Sequence, residues 1–446
     1  MNETVLSLAS KVSTGALRSE RLTEDALGVI EKLNSRLNAF ITVTADEALA
    51  TARQADREIA AGRRLSPVHG LPISLKDLID MKGVPTTAAS KLRDGWIAGQ
   101  DAPVVARLRA AGAVLIGKTN LHEFAFGTTC EDSAWGPARN PIDDSRSPGG
   151  SSGGSAIAVR TGMSVASIGT DTGGSIRIPA AACGVVGLKP GWGEVSAAGI
   201  IPLSRQLDHV GPLTQSVGDA AVLYDLLRGA APRDENALAL GPPVQLTILG
   251  GYFMDRLAPG VEATIEAALD TLRQSGVSTT TATLTHANDI APIYLHIVLA
   301  DAAAYHASTL ERRPHAYTTN VRLRLEMGRH ILAEDYARAV RGRSVLRREV
   351  DRALAGSDAL VLPALAIEAP PIGAATVPVK GGHEPVRNAM LRCTQLFNLT
   401  GHPAISLPCG TTGQGLPVGL QLVGHAGRTA DLLHVARRVE HLLSSR

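Results

Sequence analysis

Residues 148–179 read PGGSSGGSAIAVRTGMSVASIGTDTGGSIRIP. Two glycine-flanked serine clusters stand in this one segment: Gly149-Gly150-Ser151-Ser152-Gly153-Gly154-Ser155 and Asp171-Thr172-Gly173-Gly174-Ser175. Glycine at this density costs backbone entropy and suits neither helix nor strand. It is useful where a main chain turns tightly or lets another group approach its N–H groups. Ser175 follows two glycines, so free amides could converge beside its hydroxyl. A nucleophilic oxygen beside such donors is what acyl transfer requires. The other reading is a flexible Gly/Ser linker. Against it, Ala156–Thr170 is regular enough for a helix and a strand, and Ser164–Gly169 alternates like a buried strand. A phosphate cradle fits poorly, because no lysine follows either cluster as a P-loop demands.

Outward from this segment, helices and short apolar strands alternate. Thr23 is placed to cap a helix with Glu24 and Asp25 in its first turn, and a second helix is expected over 45–61. Pro72-Ile73-Ser74-Leu75 reads as a strand with Lys76 at its end. Val114–Lys118 reads as another, after a helix near Val104–Ala111. Residues 184–188 and 207–213 continue the pattern. Beyond the turn-rich Ala230–Pro243 comes a strand at Gln245–Gly250. Helices then dominate to about residue 355, the clearest over Glu334–Ala353. Strands return at 359–362, 404–407 and 418–423, with a closing helix over about 428–443. The pattern implies an α/β fold with a mixed central β-sheet sandwiched between layers of α-helices. One domain over 1–446 is expected. Its parts are an N-terminal helical layer (1–63), a core (64–229), a mostly helical region (230–355) and C-terminal strands and helix (356–446).

Composition narrows the function. The 446 residues are 44% hydrophobic and 19% charged, with 44 Lys+Arg against 42 Asp+Glu, net +2. This is a globular composition with no electrostatic argument for nucleic acid or membrane as partner. Cys130, Cys183, Cys393 and Cys409 include no C-x-x-C pair, so no zinc or redox motif is indicated, and they fit a reducing cytoplasm. No signal peptide or transmembrane helix is expected. His122-Glu123 lacks the second histidine of a zincin, and neither metal nor cofactor is expected.

A serine nucleophile needs a base. No histidine is near either cluster in sequence, although a spatially adjacent one stays open. Lys76 is the alternative: at the end of an apolar strand it would be desolvated, its pKa would fall, and it could accept a proton. The competing reading is a lysine snorkelling from a strand end.

With Lys76 in GLPISLKD, the segment 148–179 resembles the amidase signature family. The resemblance extends to NLHEFAFG (120–127), WGPARNP (135–141), CGVVGLKP (183–190), DHVGP (208–212), FNLTGHP (397–403) and GLPVGLQLVG (415–424). It implies a catalytic Lys76, a bridging Ser151 after a cis peptide, and Ser175 as nucleophile. It also implies an oxyanion hole from the backbone of Thr172, Gly173, Gly174 and Ser175, and an acyl pocket lined by Ala125 and Phe126. Asp171 and Arg177 are expected to hold the loop, with Ser152 and Ser155 as hydrogen-bond donors behind it. Cys130 is read as a packed thiol.

Substrate is read from the pocket. Ile200–Leu203 and Ile293–Tyr305 are apolar. They suggest a small, uncharged, partly hydrophobic amide, with aryl or alkyl amides and carbamates (urethanes) both fitting. A homodimer is compatible with this reading. The second reading is the A subunit of a glutamyl-tRNA amidotransferase, releasing ammonia from glutamine. The third is a nucleotide-binding module, which would be indifferent to Ser175→Ala.

Overall fold

Apolar runs bounded by glycine and proline become strands, and most lie where the sequence places them. The structure, a computed structural model, describes residues 3–232 and 244–444. The turn-rich Ala230–Pro243 lies for the most part outside the described residues. The strands are β1 (Phe40–Val43), β2 (Pro72–Lys76), β3 (Val114–Thr119), β4 (Ala166–Asp171), β5 (Val186–Lys189), β6 (His209–Thr214), β7 (Gln245–Leu249), β8 (Ser278–Ala282), β9 (Ala359–Pro363), β10 (Thr376–Val379), β11 (Gly382–Pro385), β12 (Ala404–Thr411) and β13 (Pro417–Val423). Eleven of them form one mixed sheet in the order β1-β3-β2-β4-β6-β5-β12-β13-β9-β7-β8; β10 and β11 pair separately.

At the centre β2 runs parallel to β3 and β4, with Leu75 opposite Ile168 and Lys76 opposite Thr119. Every residue of β2, β3 and β4 is buried, as expected for parallel strands covered on both faces. Lys76 and Asp171 are therefore the last residues of neighbouring parallel strands. Carboxyl ends of parallel strands are where α/β sheets place their ligands.

Helices cover the sheet. Gly153–Thr161 and Arg177–Cys183 pack on its middle, and Val217–Arg228, Pro259–Gln274 and Thr429–Ser444 also pack on its strands. Close approach depends on small residues. A Cβ at Gly187 would lie 2.6 Å from Ala180 Cβ, and one at Gly419 2.6 Å from Ala181 Cβ.

Three expectations change. Thr23 does not cap its helix, which starts earlier, at Ser19. Asp56 of the following helix caps it instead, accepting from Ser19 N at 2.7 Å and Glu20 N at 3.1 Å. Second, β4 ends two residues later than the alternation suggested. Its antiparallel register with β6 carries it through Thr170 to Asp171. Third, the first glycine cluster is not free of regular structure, because the helix Gly153–Thr161 starts inside it. Packing outweighs propensity there: a Cβ at Gly154 would lie 2.4 Å from Asn120 O and 2.5 Å from Ala39 O.

Among the described residues one helical segment, Ala287–Arg312, is long and apolar enough by composition to cross a membrane. It is built into the fold: Ile297 and Val298 are in the core, and Asp301 accepts from Ser204 Oγ and Tyr336 Oη.

Candidate functional site

Among the described residues three lysines are fully buried, and their partners distinguish them. Lys118 is ion-paired with Asp77 at 3.0 Å, which makes it structural. Lys189 donates to two carbonyls, His402 O at 2.6 Å and Pro190 O at 3.0 Å; carbonyls accept a hydrogen bond but pass no proton on. Lys76 alone of the three has only hydroxyl partners, Ser151 Oγ at 2.7 Å and Thr170 Oγ1 at 2.9 Å. Burial is the main influence on Lys76 and brings it down to about 7, against the weaker pull of Cys130, Asp171 and Asp208. An amine that loses its own proton around pH 7, beside a hydroxyl, can then take a proton from it.

The peptide between Gly150 and Ser151 is cis, as the resemblance implied. Ser152 N donates to Ser175 O at 3.1 Å, tying the two serine clusters together through the residue after Ser151. Ser152 Oγ donates to Thr170 O at 3.1 Å, and Ser155 Oγ lies 2.8 Å from Thr119 Oγ1. Ser175 itself is 6% exposed.

The loop from Thr172 to Ser175 is clamped on its carbonyl and side-chain atoms. Thr394 Oγ1 donates to Gly173 O at 2.6 Å, Ile178 N to Gly174 O at 2.7 Å, and Thr172 Oγ1 to Asp208 Oδ1 at 2.7 Å. Among the described residues the amides of Gly173, Gly174 and Ser175 donate to nothing. Gly174 has φ +140°, and a Cβ there would lie 2.3 Å from Thr394 Oγ1, so the position requires glycine.

Asp171 and Arg177 form a fully buried, two-pronged pair: Nη2 to Oδ1 at 2.8 Å and Nε to Oδ2 at 3.0 Å. Arg177 also donates to Thr394 O, Gln421 Oε1 and Asn398 Oδ1. Burial is the largest influence and would raise the Asp171 carboxyl, but Arg177, Lys189 and Asn398 together hold the group far below the usual range. A buried ion is costly without its partner. Asp171→Ala is therefore expected to lower unfolding stability by about 3–5 kcal/mol, read by denaturant unfolding. A change within about 0.5 kcal/mol, the range of surface substitutions, would show that the pair does not hold the loop.

Cys130 Sγ donates to Ser151 O at 3.1 Å and accepts from Gly153 N at 3.2 Å. Burial pushes its thiol up to about 11, so it packs as a protonated group.

Ala125 lines a narrow pocket with Thr170, Thr172, Ile200, Ile201, Leu203 and Asp208. Phe124 and Ala125 both hold left-handed φ, 50° and 59°. Phe126 is buried, and its carbonyl accepts from Arg324.

The apolar stretches thus do reach the site, but not alone. Tyr294, Arg324, Thr394 and Asn398 reach it from residues far along the chain, and sequence reasoning gave none of them a role. Asn398 stood inside FNLTGHP and Asp208 inside DHVGP, so a signal existed for both. Tyr294 stood inside the apolar stretch Ile293–Tyr305, and Arg324 carried no motif.

Comparison with known proteins gives a consistent picture. A family model described as Amidase matches residues 21–433. The chain is 38% identical over 470 residues to the glutamyl-tRNA(Gln) amidotransferase A subunit of Anaeromyxobacter sp. (strain K), covering 97% of this chain and 94% of the relative. A solved structure described as an amidase superposes with TM-score 0.93 at 37% identity, covering 98% of this chain and 99% of the other. The glutamyl-tRNA(Gln) amidotransferase A subunit of Thermotoga maritima superposes with TM-score 0.78 at 31% identity, covering 95% and 91%.

Proposed function

The chain belongs to the amidase signature family of serine amidohydrolases, which act on C–N bonds, and within it we propose that Lys76, Ser151 and Ser175 cleave a small amide through an acyl-enzyme. The observation that carries this is the 2.7 Å contact between a buried lysine, which loses its proton around pH 7, and Ser151 Oγ. Neutral Lys76 takes a proton from Ser151 as Ser151 takes one from Ser175. The Ser175 Oγ attacks the carbonyl carbon and forms the C–O bond. Negative charge developing on the carbonyl oxygen is met by the undonated amides of Gly173, Gly174 and Ser175, joined by that of Thr172. The proton held by Lys76 returns through Ser151 to the leaving nitrogen, and the C–N bond breaks. Water then hydrolyses the ester, releasing the acid and restoring Ser175. A hydroxyl suits the middle position because it donates and accepts at once. Four buried cysteines, none of them in a disulfide among the described residues, support a reducing compartment.

On the substrate, the names of the curated relatives support glutamine, with its ammonia passed to a second protein of the same complex. They support it better than the aryl amide or carbamate inferred from apolar walls. A small-molecule amidase remains the second reading, favoured by the higher TM-score to the structure described as an amidase, 0.93 against 0.78. The test is a panel of glutamine, primary amides, anilides, ureas and carbamates, read by ammonia or amine release with Ser175→Ala as blank. Release from glutamine with co-purifying subunits supports the first reading; release from anilides or carbamates by the chain alone supports the second. No release from any of them above the blank would overturn amide hydrolysis.

A further inference from the structure

Arg387 lies on the short helix Val386–Leu391, one turn before Leu391. Residues four apart share a helix face. The Leu391 side chain reaches Gly173: a Cβ there would lie 3.1 Å from Leu391 Cδ2 and 2.4 Å from Tyr294 Oη. Arg387 is therefore on the face turned to the nucleophile loop, beside Tyr294, which is the polar neighbour acting on its charge. Arg324 comes to the same place from the helix Thr319–Gly328. Its guanidinium stands 5.8 Å from the Phe126 ring, and Arg387 and Tyr294 are both among the groups acting on it. Burial, then Arg387, brings Arg324 down to about 10.

Among the described residues Arg387 lacks the compensation that buried arginines normally have, and Arg324 has a single carbonyl, Phe126 O, with the Phe126 ring beside it. The fully buried Arg177 engages a carboxylate by two prongs and three further acceptors. Arg387 is half-buried, and its buried Nε has no partner among the described residues. Among the described residues no carboxylate pairs with Arg387. The one acting on Arg324 is Asp132, which is already 3.1 Å from His122 Nε2 and 3.1 Å from Asn320 Nδ2. A guanidinium left this way is costly unless an anion arrives. Planar, forked donors suit a carboxylate.

We infer that Arg387 and Arg324 form a subsite for a carboxylate carried by the substrate, near the scissile amide. Apolar Ala125, Ile200 and Leu203 on the Thr172 side take its neutral part. This changes the uncharged substrate expected from the sequence to an ω-amide of a short acid. The subsite rests on the proposed hydrolysis for its meaning, but anion binding can be read without turnover.

The experiment uses the whole chain and two readouts. First, succinate or glutarate should slow labelling of Ser175 by a fluorophosphonate, while the matched neutral diamide protects far less. Arg387→Met should weaken protection about 100-fold, as expected for loss of a charged hydrogen bond, and Arg324→Met by a smaller factor. Arg387→Lys keeps the charge but not the fork and should lose about tenfold, which guards against a misfolded variant. Second, wild-type kcat/KM should favour succinamate over butyramide, and that ratio should fall about 100-fold in Arg387→Met. Equal protection by anion and diamide, or protection unchanged in both Arg387 variants, overturns the subsite. Arg387-dependent protection with no amide turned over would leave the subsite standing and refute hydrolysis instead.

Discussion

Ser175→Ala is expected to abolish turnover of whatever amide the protein cleaves, a loss of about 10³-fold at least and up to about 10⁶-fold. The reason is local. In this mechanism the covalent bond forms at one oxygen, and neither Ser151 nor Ser152 can replace it. Ser151 Oγ is held on Lys76 at 2.7 Å and Ser152 Oγ donates to Thr170 O. The substitution removes one oxygen from a site that is 6% exposed and leaves the backbone bond from Ser152 N to Ser175 O in place. The variant should therefore fold and melt like the parent while amine release falls to background. Substantial turnover in a correctly folded variant would assign the nucleophile elsewhere.

Lys76→Met is expected to cost about 10²–10⁴-fold at neutral pH, the usual contribution of a general base. The sign of the pH dependence follows from the lysine itself. Below about pH 7 its folded form is an ammonium, which cannot accept a proton; above it the amine is free. Activity of the parent should rise through about pH 7 and hold into the alkaline range, and the variant should lose that limb. Falling activity over the same interval would place the base elsewhere. Lys189→Met is the informative comparison, because Lys189 is as buried but has only carbonyl partners. Its loss should be one of stability, with the pH limb retained.

Much of the fold was legible because burial writes itself into the sequence. The apolar runs at 72–75 and 114–118 and the long helix near 334–353 sit where their periodicity put them. What was missed obeys tertiary rather than local rules. Strand β8, STTTA, is an exposed edge strand with no apolar signal, and the helix cap at Ser19 comes from Asp56 across a helix pair. Gly153 and Gly154 are helical because nothing larger fits. The candidate site divides the same way. Lys76 and Ser175 could be singled out from strand end and glycine context, but the Lys76–Ser151 contact spans 75 residues and only the family resemblance pointed to it. Arg387 and Tyr294 belong to helices with no motif, and only folding sets them beside Gly173.

Whether an amine at position 76 governs the reactivity of the hydroxyl at position 175 can be measured without knowledge of the substrate. A fluorophosphonate serves, because it phosphonylates an activated serine with loss of fluoride. Labelling located by peptide mass spectrometry and followed between about pH 5 and pH 9 should fall on Ser175, accelerate through about pH 7, and lose that acceleration in Lys76→Met. Labelling on another residue, or at a rate indifferent to pH and to Lys76, would contradict it.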